Sequence, residues 1–316
     1  MVEAEKSMFT INATNRNILL IKNKIVKFCH DYHISTIVIH HPVTVLLILL
    51  PFIKKLLPHV KFVMYAHSNA KEILRTHEKL GLFLRKCIIH KAFETVDVII
   101  AISNSVRNSI IDDLCIKNKI ITLYNGINLD NFRLRPVYNQ KNSRFIYVGR
   151  LVEMKGLQVI FKCLSEIDLP SNFVFTIIGD GPYRPKLEKL ALSLNLSKYI
   201  VFKGQTTSVQ SYLINHDVFV HYPIIEEGFG LTIVEAMSSG LICLCRRTGG
   251  ISEIISSGVD GYLVNSEKEL KQKISYLLNK ISFDEDNAIS KKAVERAQYF
   301  SIHSYAKQLD SLLRSI

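Results

Sequence analysis

The chain has 316 residues, of which 48% are hydrophobic and 22% are charged, and its formal net charge is +12. This length suits about two domains, and the apolar content excludes a disordered chain because it is enough to build real cores. The positive charge favours anionic partners, namely nucleic acid, acidic lipid surfaces or phosphorylated substrates; for any single lysine, a solvated surface position is the simpler interpretation.

The first part of the chain alternates short β-branched runs with helical patterns. An amphipathic helix is predicted over 16–32. The predicted strands are 35–41, 61–67, 96–103 and 119–127, and the predicted helices between them are 43–57, 69–92 and 104–114. Strands that alternate with helices predict βαβ units and a parallel sheet. The polar, proline-containing segment 128–143 that follows predicts a linker.

The same alternation then starts again. Strands are predicted at 144–150, 173–181, 199–204, 217–223, 241–245 and 261–265, with helices at 155–166, 183–194, 206–215, 231–239, 250–257 and 267–280. The final stretch, 283–316, is predicted to be helical. We therefore predict two Rossmann-like, doubly wound α/β domains, 1–140 and 141–300, and a C-terminal helix, 301–316, whose path back to the first domain is left open.

Cysteine usage and the apolar stretches bear on location. The six cysteines include no C-x-x-C pair and no zinc-type spacing with histidine, and scattered thiols indicate a reducing compartment. The N-terminal segment has no apolar signal core, so we expect a cytoplasmic protein without a metal centre.

The stretch 42–58 contains Pro51 and two lysines and is shorter than the ~20 apolar residues that span a bilayer. We predict a helix buried on the sheet, with a membrane-interface helix as the alternative.

The segment GRLVEMKG, 149–156, has the composition of an anion site. A strand ends at Gly149, where the missing side chain lets a ligand approach the backbone. Arg150 offers a planar fork and Lys155 a point charge for phosphate oxygens, and the following helix adds unpaired N–H groups. The alternative is a surface loop with two ordinary cations.

The segment EEGFGLTIVEA, 226–236, combines glycines with two carboxylates. A helix is predicted to begin near Leu231, so the N–H groups before it can also face a phosphate. Glu227 and Glu235 repel phosphate but accept hydrogen bonds from sugar hydroxyls, which favours a nucleotide-sugar as the ligand. A glycosidase pair is disfavoured, since the two carboxylates approach from one side rather than flanking a bond. The simpler alternative for Glu235 is a carboxylate that caps or decorates its helix.

Six motifs in this order and spacing resemble the family 4 retaining glycosyltransferases of the GT-B fold, also called glycosyl transferases group 1. They are YNGINLDNF (124–132), YVGRLVEMKG (147–156), IIGDGPYRPKLE (177–188), VFKGQ (201–205), EEGFGLTIVEAMSSG (226–240) and TGGISEII…GVDGYLV (248–264). The likeness runs over roughly 35–300 and is densest over 120–265. It implies two Rossmann-like domains that face each other across a cleft.

The resemblance also implies roles for residues. Arg150 and Lys155 would neutralise the donor diphosphate without a metal, Glu227 would lie near the hydroxyls of the transferred sugar, and Glu235 would hold the ribose. His67 would face the reacting centre, unless it is only a histidine at a strand end. The full set of donor-binding candidates is Gly149, Arg150, Lys155, Gly181, Gly204, Glu227, Gly228, Phe229, Gly230, Leu231 and Glu235.

One departure from the family pattern lies in the first domain. No glycine occurs before Gly81, so the usual Gly-Gly turn is missing and we expect this domain to lack its first βα unit. The leading hypothesis is an active hexosyltransferase that uses a nucleotide-sugar, a UDP-sugar being favoured, and a glycan or lipid-linked acceptor in surface polysaccharide synthesis. The alternative is a non-catalytic or partner-dependent subunit of a split enzyme.

The basic first domain adds an expectation about partners. Its lysines and arginines would suit an anionic membrane surface, which predicts peripheral binding at the inner face of the membrane. A nucleic-acid partner is not expected, because no basic motif interleaved with aromatic residues occurs.

Overall fold

The computed structural model describes residues 18–40, 44–75, 81–116, 119–135, 143–279 and 284–316. These residues form two compact units. The first holds the described residues up to 101 and between 107 and 121, together with 316, and the second holds 102–106 and the described residues from 122 to 315.

The first unit is built on a four-stranded sheet in the sequential order β1-β2-β3-β4. The strands are β1 (Thr36–Ile39), β2 (Lys61–Ala66), β3 (Val98–Ala101) and β4 (Ile120–Thr122). β2 pairs in parallel with both β1 and β3. Among the described strands of this sheet the order never reverses, so the described part of the unit contains no switch point of the kind at which open α/β sheets bind ligands.

The helices of the first unit follow the predicted alternation with one difference. They are α1 (Ile18–Asp31), α2 (Thr44–Leu56), α3 (Ala70–Arg75), α4 (Leu82–Thr95) and α5 (Asn104–Leu114). A single helix was predicted over 69–92, whereas α3 and α4 are separate, and residues 76–80 between them lie outside the described residues. The first turn of α5 belongs to the second unit, where the Glu253 carboxylate accepts the backbone N–H groups of Asn104 and Ser105 at 2.8 and 2.7 Å.

The apolar helix α2 is buried on one side only. Leu47, Leu50 and Ile53 are at most 2% exposed, which agrees with the predicted packing on the sheet. Phe52 and Leu56, however, are 60% and 49% exposed on the outer side. The sequence did not resolve these faces because nearly every position of α2 is apolar. α2 is therefore a core helix that also carries an exposed apolar stripe.

The second unit is built on a six-stranded parallel sheet in the order β10-β9-β8-β5-β6-β7. The strands are β5 (Arg144–Val148), β6 (Val174–Ile178), β7 (Ile200–Gly204), β8 (Val218–His221), β9 (Ile242–Arg246) and β10 (Tyr262–Val264). The order runs outward in both directions from the neighbouring strands β5 and β8. This is the order of a doubly wound dinucleotide-binding fold, and its switch point lies between β5 and β8.

Eight helices follow in the described part of the second unit. They are α6 (Leu157–Ser165), α7 (Arg184–Ser193), α8 (Val209–Leu213), α9 (Leu231–Ser238), α10 (Ile251–Ile254), α11 (Glu267–Asn279), α12 (Asp284–Gln298) and α13 (Ile302–Arg314). α10 is shorter than the predicted 250–257, because the Asp260 carboxylate accepts the Ser256 N–H at 2.7 Å in a tight loop. The final helical stretch is two helices, and Ser301 caps the second by accepting the Ser304 N–H at 3.2 Å.

Candidate functional site

The loops that follow β5, β6 and β7 are joined by backbone hydrogen bonds at the carboxyl edge of the second sheet. The Gly149 N–H donates to Ile178 O at 3.0 Å, and the Gly179 N–H donates to Gly204 O at 2.8 Å. A side chain at Gly179 would place its Cβ 1.9 Å from Gly149 O. Only glycine fits there, so the glycine motifs bring three strand ends into contact beside the switch point.

The loop with Lys155 packs in the same way against the loop after β8. Gly156 has a left-handed backbone (φ +72°), and a Cβ on it would lie 1.9 Å from Tyr222 O. The Ile224 N–H donates to Met154 O at 2.9 Å. The segment from Gly149 to Gly156 is thereby held against the segment that leads to Glu227.

Lys155 and Glu227 form the central charged pair of this edge. The Lys155 Nζ lies 2.5 Å from Glu227 Oε1 and 2.7 Å from Oε2, and the two side chains are 20% and 19% exposed. The Gly250 N–H donates to Glu227 O at 2.8 Å, and a Cβ on Gly249 would lie 2.3 Å from the same oxygen. The loop after β9 therefore fixes the backbone of Glu227, while Lys155 fixes its side chain.

His221, the last residue of β8, also contacts Glu227. Its Nε2 lies 3.1 Å from Glu227 Oε2, and its ring stacks on Tyr147 with centroids 5.8 Å apart. Burial would raise the pKa of Glu227, but the hydrogen bond from His221 and the positive charge of Lys155 outweigh it and bring the pKa to about 2. Glu227 is thus a carboxylate at any physiological pH.

The turn before α9 presents backbone N–H groups. The Phe229 side chain is buried against Tyr124 and Phe300, and Gly230 has a positive φ of 115° that turns the chain into α9. Within the described part of the chain, the N–H groups of Phe229, Gly230 and Leu231 have no protein acceptor. Free N–H groups at the start of a helix are suited to an anion.

Glu235 lies one turn into α9 and differs from Glu227. Its carboxylate has no hydrogen bond or ion pair with any described residue, and burial raises its pKa to about 7. It does not cap α9, because position 235 lies in the helix interior. A half-buried carboxylate without a protein partner is available to accept hydrogen bonds from a ligand.

The other predicted site residues of the second unit occupy the rim of this edge. Arg150 is exposed, and its carbonyl accepts the Tyr147 hydroxyl at 3.2 Å. Gly181 donates its N–H to the neighbouring Asp180 carboxylate at 2.7 Å, so this amide already has an acceptor. Gly204 has a left-handed backbone (φ +73°) and lies beside the Arg184 side chain. Gly228 packs against Gly250 through its carbonyl.

His67 lies in the first unit, directly after β2. Its Nε2 is 3.0 Å from the Nδ1 of His40, which follows β1. Both rings stack on Tyr65, with centroid separations of 5.6 Å for His67 and 4.4 Å for His40. His41, which ends the predicted first strand, lies outside the described residues.

Two further residues of the second unit were not singled out from the sequence. His221 occupies a strand end at the switch point. The Glu253 carboxylate accepts hydrogen bonds from the first backbone N–H groups of α5 and from the Tyr124 hydroxyl, the last at 2.9 Å. A histidine at the end of a buried apolar run could have marked His221 as a site residue, but the sequence did not show that it contacts Glu227, six residues later.

The described residues contain neither a cluster of metal ligands nor a helix that spans a membrane. Within these ranges, no three or more His, Cys, Asp and Glu side chains converge as metal ligands would. Likewise, the helices of the described ranges are too short or too polar to cross a bilayer.

Solved structures match the fold closely. The Anabaena protein HepE, solved in complex with UDP, superposes with a TM-score of 0.81 at 19% identity, over 94% of this chain and 82% of HepE. At this identity the likeness shows the fold alone. Two α/β units with parallel sheets, the second with a dinucleotide-type strand order, place the chain in the GT-B class.

Sequence comparisons define the family. The model for glycosyl transferases group 1 matches residues 130–296, and the model for glycosyltransferase family 4 matches residues 3–131. The chain belongs to the glycosyl transferases group 1 family.

Two curated relatives illustrate the range of the family. An uncharacterised glycosyltransferase of Methanocaldococcus jannaschii is 30% identical over 66% of this chain and 58% of its own length. The Escherichia coli UDP-Gal:α-D-GlcNAc-diphosphoundecaprenol α-1,3-galactosyltransferase is 27% identical over 63% of this chain and 53% of its length. The chain thus spans a little more than half the length of these relatives.

Proposed function

We propose that the protein is a retaining glycosyltransferase. It transfers a hexose-type sugar from a nucleotide-sugar, a UDP-sugar being favoured, to a glycan or lipid-linked acceptor in surface polysaccharide synthesis. The observation that carries the proposal is the edge at the β5/β8 switch point, where Lys155, Glu227 and the free N–H groups before α9 lie on adjoining loops and Glu235 lies one turn into α9. The UDP complex of HepE and the UDP-sugar substrate in the name of the Escherichia coli relative support a UDP-sugar donor.

In this proposal, cations and amides bind the donor diphosphate. The leaving group is a nucleoside diphosphate, which needs stabilisation of negative charge as the glycosidic bond breaks. Arg150, Lys155 and the N–H groups of Gly230 and Leu231 supply it, so the mechanism requires no metal. The acceptor hydroxyl attacks from the face that the leaving group vacates, which retains the anomeric configuration.

The two glutamates then have different tasks. Glu227 is ionised and held between Lys155 and His221, and it accepts hydrogen bonds from the hydroxyls of the transferred sugar. Glu235, which has no protein partner among the described residues, accepts hydrogen bonds from the ribose. His67, paired with His40 in the first unit, is proposed to face the reacting centre.

A donor screen followed by a transfer assay tests the proposal. The intact protein is scanned by thermal shift with UDP-, GDP- and ADP-sugars, and the best donor is then offered with lipid-linked and glycan acceptors. Stabilisation by one donor class together with transfer supports the proposal. Donor binding without transfer to any acceptor would instead favour the non-catalytic or partner-dependent subunit, and the absence of binding to every nucleotide-sugar would contradict both.

We also propose that the first unit binds an anionic membrane surface from the cytoplasmic side. The exposed stripe of α2, formed by Ile48, Phe52 and Leu56 at helical spacing, lies beside the exposed Lys55. An apolar stripe beside an exposed lysine suits a surface of anionic lipid, and a lipid-linked acceptor would be found there.

Flotation with anionic liposomes at low salt tests this surface. The wild-type protein should float with the vesicles, and Phe52→Asp should reduce the bound fraction severalfold, since it places a carboxylate in the stripe. Leu192→Asp is the matched control, because Leu192 is 69% exposed in the second unit. Failure of the wild type to float, or equal binding by the two variants, would overturn the proposed surface.

A further inference from the structure

His221 contacts the Glu227 carboxylate of the candidate site. It is 2% exposed, its Nε2 faces Glu227 Oε2 at 3.1 Å, and its ring neighbours Tyr147 and Phe219 with centroid separations of 5.8 and 6.1 Å. The imidazole is thus buried among other rings with one nitrogen directed at the carboxylate.

The hydrogen-bond pattern defines which nitrogen carries the proton. Nδ1 is buried and has no hydrogen-bond partner among the described residues, whereas Nε2 faces an ionised carboxylate. A hydrogen on Nδ1 alone would set the Nε2 lone pair against the Glu227 oxygen, and both contacts would be unfavourable. His221 therefore donates Nε2–H to Glu227.

Under the proposed function, Lys155 binds two anions, the Glu227 carboxylate and the donor diphosphate. In the structure it bonds both oxygens of Glu227, and in the donor complex it is needed by the diphosphate. Two of its three N–H donors serve Glu227, so a diphosphate that takes more than the remaining one weakens its hold on the carboxylate. A carboxylate that is only 19% exposed then needs another donor to stay ionised and in place.

We propose that His221 is a positioning residue that holds Glu227 once the donor diphosphate engages Lys155. The proposal rests on the proposed function, because it needs a donor phosphate at Lys155. His221 does not touch the substrate in this account; it keeps one Glu227 oxygen fixed, so that the other faces the hydroxyls of the transferred sugar.

Two substitutions separate positioning from packing. His221→Leu keeps the volume but removes the donor, while His221→Gln places an amide N–H near the position of Nε2. We expect His221→Leu to lower kcat by about tenfold or more, as for the loss of a charge-assisted hydrogen bond, with UDP affinity unchanged within twofold. His221→Gln should recover most of kcat. His216→Leu is the control, since His216 is also buried but bonds Tyr212 O and Thr176 Oγ1 away from Glu227.

The pH profile provides a signature that loss of packing would not produce. The ionisable groups that face Glu227 among the described residues are Lys155, His221, Tyr147 and Cys245; burial raises the pKa of Tyr147 and of the Cys245 thiol, so neither ionises near neutral pH. In His221→Leu the pKa of Glu227, followed at that residue through a pH titration of the donor complex, should move up by about one pH unit or more, because the lost hydrogen bond no longer favours the charged form. The same titration of the free protein, in which Lys155 still bonds Glu227, should show a smaller shift.

A measurement without turnover keeps the proposal separate from the proposed function. Carbon NMR of glutamate-labelled protein saturated with UDP-glucose gives the pKa of Glu227 directly. It should be higher in His221→Leu than in wild type, and unchanged in His216→Leu. An unchanged Glu227 pKa in the His221→Leu complex overturns the proposal even if the wild type is active. A Glu227 pKa that is higher in His221→Leu than in wild type, together with a wild type that transfers no sugar, would support the positioning role and contradict the transferase activity.

Discussion

The Lys155 ammonium bridges both oxygens of the Glu227 carboxylate, at 2.5 Å from Oε1 and 2.7 Å from Oε2. The two residues lie 72 positions apart in the chain and meet because β5 and β8 are neighbours at the switch point. A phosphate that binds Lys155 must compete with this carboxylate. The two side chains should therefore affect nucleotide binding in opposite directions.

Substitution of each partner tests this competition. Lys155→Ala removes the cation, so UDP affinity should fall by about tenfold or more. Glu227→Gln removes the competitor, so UDP should bind as well as to wild type or about threefold more tightly, in line with a partly exposed ion pair. Both variants should lose sugar transfer. Calorimetric titration with UDP measures the affinities, and equal weakening by the two substitutions would show that the pair does not compete with phosphate.

The unpartnered Glu235 predicts a pH dependence of folding stability. Its pKa in the folded protein is about 7, above the usual 4.5, so ionisation opposes folding. The resulting stability is fully present below pH 4.5 and is lost as the pH rises through 7. Glu235→Gln should be more stable than wild type at pH 8 by about 2 kcal/mol and equal to it at pH 4. Urea unfolding at the two pH values measures the difference; a pH-independent difference would contradict the raised pKa.

The same residue predicts that donor binding depends on pH. Ribose hydroxyls donate to the ionised form, so affinity for UDP-glucose should rise roughly five- to tenfold from pH 6 to pH 8. A nucleotide-sugar is the right probe because its diphosphate is a diester and lacks the ionisation near pH 6 of a terminal phosphate. Glu235→Gln should bind with a flat pH profile. A wild-type profile that is equally flat would remove Glu235 from the ribose site.

A buried ion-pair group supports the second sheet. Asp217, directly before β8, is 3% exposed. Its carboxylate accepts hydrogen bonds from the Arg144 backbone N–H at 3.1 Å, from the Arg144 guanidinium at 3.1 and 2.7 Å, and from Arg135 at 3.4 Å. Asp217→Asn should lower the free energy of unfolding by about 2–3 kcal/mol, because it leaves two guanidinium groups beside a neutral amide.

The matched control for this group is an exposed pair. Asp310 bonds Arg314 at 2.8 Å with side chains 63% and 78% exposed, so Asp310→Asn should leave the free energy of unfolding unchanged within the error of the measurement. Denaturant unfolding of both variants at pH 7 provides the comparison. Similar losses would mean that burial does not set the strength of these ion pairs.

Much of the fold was predictable from the sequence because the strands are short, buried and β-branched. For example, the predicted strand FVFTIIGDG (173–181) contains the observed strand Val174–Ile178, which begins one residue later and ends three residues earlier. The prediction succeeds because glycine and aspartate follow where strand pairing stops. Elements were less predictable where the apolar pattern is continuous. In α2 both faces are apolar, so periodicity did not separate the buried Leu50 from the exposed Phe52.

Long-range contacts account for what the sequence did not predict in the site. Lys155 and Glu227 were each identified as candidates, but their ion pair depends on the placement of β8 beside β5. The contact of His221 with Glu227 depends on a loop that folds back over the strand end, and no local pattern encodes it. The raised pKa of Glu235 arises from its depth in the site, which a helical position alone does not reveal.

Sugar transfer by the intact protein, with the configuration of the product determined by NMR, tests the central claim most directly. Radiolabelled UDP-hexoses are incubated with lipid-linked acceptors, using wild type and Lys155→Ala. The account predicts transfer by wild type with the anomeric configuration of the donor retained, and loss of transfer in Lys155→Ala. An inverted product, or transfer that survives the Lys155→Ala substitution unchanged, would contradict it.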